Sequence, residues 1–455
     1  MKLIYNVHDK PKLNQLIVFA IQQLLAIMAA TLVVPIIIGH GMSPAAALFG
    51  AGIGTLVYLL FTKFNSPVFL GSSFAFLGSM AAAFAGGVSM SLGYLGLIIG
   101  AVTAGLVYVV IALVVKAVGV AWINKLMPAV VIGPTVAIIG LSLAGNAVGD
   151  LVTGEVKAPI TDEVLTSPFV ALICGLVTLI VTAVCATYGK KMVRLIPFVL
   201  GILAGYAVAS IFTLIGGIAD IDALKVINFA YITDLFKDGV TLSTFFTIPK
   251  FTFIEAFKGV SEFNGTYFAT IAVAYMPVAF VVFAEHIADH KNISSIIEKD
   301  LLEDPGLHRT LLGDGVGSMA GAFFGGCPNT TYGESVGCVA ITGNASIVTI
   351  LAAAIGAIAI SFLSPFVAFV DSIPPCVMGG VCMALYGFIA VSGLKMVQKV
   401  DLNQNKNLFV ASVILIAGIG GLTLNFGKVT ITSIACALIL GIIMNVILCR
   451  KADEE

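Results

Sequence analysis

The chain has 455 residues, of which 59% are hydrophobic and only 10% are charged. An ordinary soluble domain carries about 25% charged residues, so this composition excludes a cytosolic enzyme. The formal net charge of −1 gives no basic surface for binding nucleic acid. The composition predicts an all-α polytopic protein embedded in the lipid bilayer.

Apolar runs of the roughly 20 residues that a transmembrane helix needs follow one another along the chain. The first run is too long for a signal-peptide core and is predicted to be a retained span. Three weaker segments, short or rich in Gly, Ser and Thr, lie at 67–84, 310–326 and 329–343. The long runs lie at 15–38, 43–62, 93–117, 126–147, 166–188, 195–217, 268–289, 345–370, 374–393, 407–426 and 429–449.

The basic residues decide whether the weak segments count as spans. With fourteen spans and both termini in the cytoplasm, most Lys and Arg residues face inward, as the positive-inside rule requires. Omitting only the segment 67–84 would move Lys190, Lys191 and Arg194 to the outer face. The sequence therefore predicts fourteen spans in the plasma (inner) membrane. The basic residues left outside are Lys157, Lys225, Lys237, Lys250, Lys258 and Lys428.

The fourteen spans divide into two halves of seven, and the third segment of each half is short and polar. These segments contain the stretches 71–76 and 329–334, each with a Phe or Tyr among small polar residues. Because seven is odd, the second half enters the membrane from the opposite side, which predicts a 7+7 inverted repeat. Interrupted segments in corresponding positions point to a transporter binding site. The alternative is that both are merely structural re-entrant loops.

Few ionisable side chains lie inside the apolar runs. Glu285 and Asp289 are four residues apart on one face of the eighth predicted span, and Glu334 lies in the tenth segment. A charge at the bilayer centre costs about 2.5–3.5 kcal/mol, so we expect these carboxyl groups to face a cavity, a polar ligand or a proton. Two carboxyl groups one turn apart can share an exchangeable proton, which suggests proton coupling. Alternatively, Asp289 marks the cytoplasmic end of the helix.

His286 and His290, with Asp289 between them, formally match a metal-binding pattern. A zinc site needs a third ligand, and the nearest candidate is His308 in a charged loop. No other hydrolase motif accompanies the pattern, so we expect neither a metal nor a cofactor.

The tenth segment carries groups suited to a polar ligand. Pro328 breaks the preceding helix, and the residues 329–331 are good N-caps for a half-helix whose free N–H groups would bind ligand carbonyls. Glu334 can accept ligand N–H groups, Gly333 permits close approach, and Phe74 in segment three offers an aromatic face. Together they predict a site for a small planar cyclic amide or imide. An anion transporter of the same architecture is the alternative, although these segments contain no Lys or Arg.

The stretch 325–337 resembles the signature of the nucleobase–cation symporter-2 family, the nucleobase–ascorbate transporters, and in particular its bacterial uracil permeases. The stretches 69–76, 284–286 and 299–309 match as well, and the similarity covers most of the chain. It implies a symporter, not an enzyme, that imports a nucleobase, first of all uracil, with a proton, and that forms homodimers. The alternative is a xanthine or urate symporter, because purine-type relatives carry Asp at the position of Asp289, where uracil permeases carry His.

The resemblance also implies two domains with the base between them. The core domain would comprise 13–118 (spans 1–4) and 267–371 (spans 8–11). The gate domain would comprise 119–266 (spans 5–7 and an outer loop) and 372–455 (spans 12–14 and the cytoplasmic tail). On this basis we expect substrate contacts and proton coupling from a small set of residues. Those for the substrate are Glu285, Glu334, Phe74, Gly333, Ala30 and Tyr332, and those for the proton are Asp289 and Glu285.

Overall fold

A computed structural model describes residues 3–119, 122, 127–156, 164–190, 192–426 and 429–450. Within these ranges the chain is mostly helical, and eight helices are long and apolar enough to cross a membrane. The expected count of fourteen spans therefore stays a prediction. Lys157, Lys191 and Lys428, which entered the prediction of topology, lie outside the described residues.

Helices of the first half begin at local start signals. Ser43, directly before Pro44 at the start of α2, accepts a hydrogen bond from the Ala46 N–H through its side chain. At the start of α4, the Ser89 side chain accepts one from the Leu92 N–H in the same way. A 3-10 turn, Phe74–Phe76, links the first strand to the third helix. The elements are α1 Leu13–Ile38, α2 Pro44–Phe61, β1 Leu70–Ser72, α3 Leu77–Ala83, α4 Met90–Val118, α5 Ala129–Ser142, α6 Ala144–Leu151, α7 Pro168–Tyr188 and α8 Pro197–Ala219.

The second half begins with a helix longer than the bilayer requires. Its elements are α9 Gly265–Ile297, α10 Leu307–Gly325, β2 Asn329–Thr331, α11 Gly333–Thr342, α12 Ile347–Ile360, α13 Ser364–Asp371, α14 Pro375–Val397, α15 Asn405–Ile419, β3 Leu424–Phe426, β4 Val429–Ile431 and α16 Ser433–Arg450. Strands β3 and β4 pair antiparallel. Shorter helical turns lie at Met192–Leu195, Asp222–Leu224, Ala230–Thr233, Asp234–Phe236, Leu242–Phe245, Thr252–Ala256, Phe257–Glu262 and Leu302–Gly306.

Several predicted spans differ from the observed elements. The run 345–370 is two helices, α12 and α13, and the runs 407–426 and 429–449 each include a strand of the β3–β4 hairpin. Apolar composition alone does not distinguish strand from helix in short segments, which explains these errors. The eighth span, predicted at 268–289, is the longer α9, because its polar last two turns lie beyond the apolar run.

Close backbone approach holds α2 against α10. A Cβ atom on Gly54 would lie 2.8 Å from the Gly317 carbonyl oxygen, and a Cβ on Gly50 would overlap the Gly321 carbonyl. Small residues four apart on facing helices permit such packing in membranes. Helix α10 packs on its other side against α4, while α14 packs against α5, α6 and α7. The two interrupted segments lie among α2, α9 and α10.

The stretch 218–266, which the sequence predicts on the outer side, packs onto the helices at several points. The Thr247 N–H donates to the Phe362 carbonyl at 2.9 Å, and the Ser167 N–H donates to the Ala223 carbonyl at 2.8 Å. The Phe251 ring packs edge-on against Phe49 in the second turn of α2. This stretch is therefore part of the packed structure and not a free loop.

Candidate functional site

The two interrupted segments meet as a short antiparallel pair of strands. The register pairs Leu70 with Thr331 and Ser72 with Asn329. Backbone bonds extend the pair at both ends, from the Ser73 N–H to the Pro328 carbonyl at 2.9 Å and from the Tyr332 N–H to the Phe69 carbonyl at 3.2 Å.

A helix follows each strand, so two helix starts lie next to the crossing of the strands. The residues 329–331 were expected to cap the second helix, and this expectation was wrong, because they form β2. Helix α11 begins at Gly333 instead, without a side-chain cap. The N-cap residue Tyr332 thus supplies no side-chain partner to the first N–H groups of α11, and the Glu334 carboxyl group bonds to its own backbone N–H.

Glu285 and Glu334 bring two carboxyl groups to this crossing. Glu285 lies within the unbroken helix α9 and is solvent-accessible although its neighbours Ala284 and His286 are buried. Glu334 lies in the first turn of α11 and is half-buried, and the adjacent Gly333 is exposed. Glu285 and Glu334 are near enough for their charges to interact. The two glutamates therefore form an acidic site beside the N-terminus of α11.

Asp289 lies one turn beyond Glu285 and is bonded to the crossing. Its Oδ2 atom accepts a hydrogen bond from the Thr331 hydroxyl at 2.9 Å, and a Cβ on Gly333 would lie 3.7 Å from its Oδ1. Its side chain is only 7% exposed, in contrast to Glu285. The Asp289 carboxyl group thus lies between α9 and the start of α11, where it is less accessible than the carboxyl groups of Glu285 and Glu334.

Phe74 supplies an aromatic ring at the start of the other helix. The ring is half-buried and meets Tyr386 of α14 edge-on, with 6.2 Å between ring centroids. Tyr386 was not among the predicted site residues, and its position in the apolar run of α14 gave no signal of contact with segment three. The Phe74–Tyr386 contact joins the strand crossing to α14.

Tyr332 and Ala30 are buried rather than accessible. The Tyr332 hydroxyl donates to the Ser72 carbonyl at 2.6 Å, and its ring packs on Gly71. This phenol therefore links the two interrupted segments to each other. Ala30 lies on α1 and is 1% exposed.

A second buried contact, which the sequence did not reveal, supports α11 from the other side. The Gln23 side-chain amide of α1 donates to the Ser335 hydroxyl, and the Ser335 oxygen also accepts from the Phe69 N–H at 3.0 Å. Helix α11 and the start of segment three are thus fixed by one side chain.

The metal pattern does not form a metal site. His286 and His290 stack face to face at 4.0 Å and bond to other groups. Among the described residues, no group of three His, Cys, Asp or Glu side chains is arranged to hold a metal ion.

Two cavities border α14. One, of about 780 Å³, lies between the end of α1 and α14 and includes Asp150 and Met378. The other, of about 690 Å³, lies between α9 and α14 and includes Ile287 and Lys395. The first is on the predicted outer side and the second on the predicted inner side.

Residues 14–426 match the permease family. The chain is 39% identical to the uracil permease of Bacillus caldolyticus, over 98% of this chain and 95% of the relative. It is 37% identical to the uracil permease of Bacillus subtilis, over 100% and 97%, and 35% identical to that of Escherichia coli K12, over 97% and 93%.

Solved structures with a similar fold are transporter membrane domains. The transmembrane domain of a cyanobacterium bicarbonate transporter, BicA, matches with a TM-score of 0.63 at 15% identity, over 97% of this chain and all of that chain. The murine Slc26a9 anion transporter in an inward-facing state matches with a TM-score of 0.63 at 12% identity, over 98% and 69%. At this identity the likeness concerns the fold alone.

Proposed function

The chain belongs to the permease family of nucleobase–ascorbate transporters, and from this premise we propose that it imports uracil together with a proton. It is a multi-pass membrane protein and a nucleobase transporter, not an enzyme. We place it in the plasma membrane with both termini in the cytoplasm, as the distribution of Lys and Arg favours. We also propose that it works as a homodimer.

The observation that carries this proposal is the pair of carboxyl groups beside a helix start. Uracil is a planar ring with N–H donors and carbonyl acceptors on its edge. Glu285 and Glu334 accept from the ring N–H groups, and backbone N–H groups at the start of α11, where Tyr332 provides no side-chain cap, donate to a ring carbonyl. The Phe74 ring packs against the base, and Gly333 leaves room for it.

The charges of the site oppose an anionic substrate. The segments 69–84, 265–290 and 326–343 contain no Lys or Arg, while Glu285 and Glu334 repel an anion. The likeness to anion transporters therefore does not extend to the chemistry of this site.

The proposed motion is of a core domain, 13–118 and 267–371, against a gate domain, 119–266 and 372–455. The close packing of α2 with α10, and of α14 with α5 to α7, supports this division. The Phe74–Tyr386 contact would lie on the boundary, and the two cavities beside α14 would be the outer and inner routes to the base.

We assign proton coupling to Asp289 together with Glu285. A proton bound at this pair would remove a negative charge from the site, and the hydrogen bond from Thr331 links Asp289 to the strand that precedes α11. One charge crossing about 100 mV contributes about 2.3 kcal/mol, which corresponds to roughly fiftyfold accumulation of uracil.

Uptake of labelled uracil by cells that lack their own carrier tests the proposal. We expect uptake that a protonophore abolishes and that excess xanthine leaves unchanged. Asp289→Asn should remove the dependence on the proton gradient, whereas Asp401→Asn, which changes an exposed carboxyl group in the loop before α15, should not. Unchanged coupling in Asp289→Asn refutes the coupling assignment, and displacement of uracil by xanthine identifies a purine carrier instead.

A further inference from the structure

Three lysines line the cavity between α9 and α14, on the predicted inner side. They are Lys291 near the C-terminal end of α9, Lys395 in the last turn of α14, and Lys399 just beyond that helix. All three residues are exposed, and the described residues that line this cavity of about 690 Å³ include no Asp or Glu. The cavity therefore has a positively charged wall.

These lysines have no carboxylate partner within the described part of the chain, where the ion pairs involve other lysines. Asp401, the next acidic residue along the chain after Lys399, accepts its hydrogen bonds from Asn403 and Gln404 instead. The positive-inside rule explains why lysines lie at the cytoplasmic surface, but not why unpaired ones surround one cavity. Their charges are therefore available to an anion.

The rest of the cavity combines polar and apolar groups. Asn292 follows Lys291, and Ser392 lies one turn before Lys395, so both side chains can donate hydrogen bonds to phosphate oxygens. The volume is within the roughly 300–1,000 Å³ that is typical of small-molecule sites. The cavity thus suits a ligand with an anionic group at one end and a flat ring at the other. The larger apolar side chains of the wall are Met127, Ile132, Phe283, Ile287 and Met396.

The lining residues come from both proposed domains. Lys291 lies on α9 in the core domain, whereas Lys395 and Lys399 lie on or next to α14 in the gate domain. A ligand that contacts both at once stabilises the arrangement in which this cavity is open, and so opposes the relative motion of the domains. An anion that binds here cannot proceed to the substrate site, because Glu285 and Glu334 repel it. Such a ligand would inhibit transport without being transported.

We propose that this cavity binds a nucleoside monophosphate that contains the imported base, and that the bound nucleotide competes with uracil from the inner side. This inference rests on the proposed import of uracil. The phosphate group binds the three lysines, and the pyrimidine ring packs on the apolar wall. Ala284 is part of that wall and directly precedes Glu285, so the ring lies next to the substrate site. Import would then slow when the nucleotide accumulates in the cell.

Displacement of labelled uracil from the purified full-length protein in detergent tests the proposal, because both faces of the protein are then accessible. Uridine 5′-monophosphate should displace uracil from wild-type protein at low salt. At about 0.5 M salt displacement should be much weaker, because salt screens interactions between exposed charges. Uridine and inorganic phosphate each lack one of the two recognised parts, so each should displace uracil less well than the nucleotide.

Replacing the three lysines together, as Lys291→Gln, Lys395→Gln and Lys399→Gln, removes the positive charge of the cavity. Exposed ion pairs contribute about two- to fivefold each to affinity, so this variant should need about ten- to hundredfold more nucleotide than wild type. The nucleotide concentration is expressed relative to the affinity of the same variant for uracil, so that a change in uracil binding does not imitate the effect.

The matched control replaces three other exposed lysines of the predicted inner side, as Lys10→Gln, Lys12→Gln and Lys116→Gln. It changes the net charge equally but leaves the cavity intact, and it should resemble wild type. Equal displacement by the nucleotide in the two triple variants overturns the proposal, as does wild-type protein that binds uracil but does not release it to the nucleotide.

The remaining outcomes separate this proposal from its alternatives. If the cavity variant does not bind uracil, its three single substitutions are measured, and unchanged displacement in all of them overturns the proposal. Stronger displacement by mixed micelles of phosphatidylglycerol than by the nucleotide identifies a lipid headgroup and overturns the nucleotide assignment. Wild-type protein that does not bind uracil refutes the proposed function itself.

Discussion

Substituting Gly71 with Ala should disrupt the crossing on which the site is built. Gly71 is the middle residue of β1 and pairs with Thr330 of β2. A Cβ there would lie 2.5 Å from Cε2 of the Tyr332 ring and 2.9 Å from the Thr31 hydroxyl oxygen. Both neighbours are buried, so the ring must move, and its hydroxyl then loses the bond to the Ser72 carbonyl.

The size of the effect follows from these two contacts. Overpacking a buried site costs about 1–3 kcal/mol, and the lost hydrogen bond about 1 kcal/mol more. We therefore expect Gly71→Ala to destabilise the protein by about 2–4 kcal/mol. Since Tyr332 precedes α11 directly, uracil binding should weaken as well.

Heating of the purified protein, followed by the fraction that remains monodisperse, measures the loss of stability. The control is Gly78→Ala in α3, where a Cβ would meet only the Ile434 side chain at an ordinary 4.0 Å. That variant should be as stable as wild type or slightly more so, because Ala favours the helix. Equal heat stability of the two variants would refute the argument that Tyr332 fills the space beside Gly71.

Glu334→Gln should weaken uracil binding about ten- to hundredfold, because a hydrogen bond to a charged group contributes about 1.5–3 kcal/mol; unchanged affinity in a competition assay would place the base elsewhere. In the loop before α10, the Lys299 ammonium, 2.7 Å from Asp304, holds the pKa of that carboxyl group below its usual range. Its contribution to stability is therefore complete above about pH 4 and lost as the pH falls through the lowered value. Asp304→Asn should be less heat-stable than wild type at pH 7 and equal to it in strong acid, and an equal difference at both pH values would contradict this.

Much of the helical framework was predictable from apolar run length. The run 166–188 corresponds to α7, Pro168–Tyr188, because a continuous apolar segment bounded by Ser167 and Gly189 has clear ends. The strand pairing was not predictable. The residues 329–331 have the composition of a helix cap, and only the distant segment 70–72 supplies the backbone partners that make them a strand.

The sequence alone suggests which residues form the candidate site, and they stay a prediction, but it does not suggest the contacts between them. Glu285 and Glu334 stand out because carboxyl groups are rare in apolar helices. Placing a charge inside the bilayer costs free energy, so such residues are expected to have a function. Nothing near Tyr332 in the sequence indicates that its hydroxyl bonds to the Ser72 carbonyl. Likewise, nothing near His286 indicates that its side chain bonds to Asp314 on another helix. Such contacts depend on tertiary packing, which a single sequence does not encode in any local pattern.

The bonds of α9 constrain where the transporter can move. Three successive polar side chains attach this helix to three other elements: His286 to α10, Asp289 to β2 and His290 to α2. Glu285 alone in this group remains accessible. Because breaking several buried polar contacts at once is costly, these elements should move as one body together with Glu285 and Glu334. We therefore expect the proposed motion of the core domain against the gate domain to occur at contacts that have no such bonds among the described residues, chiefly the Phe74–Tyr386 ring contact with α14.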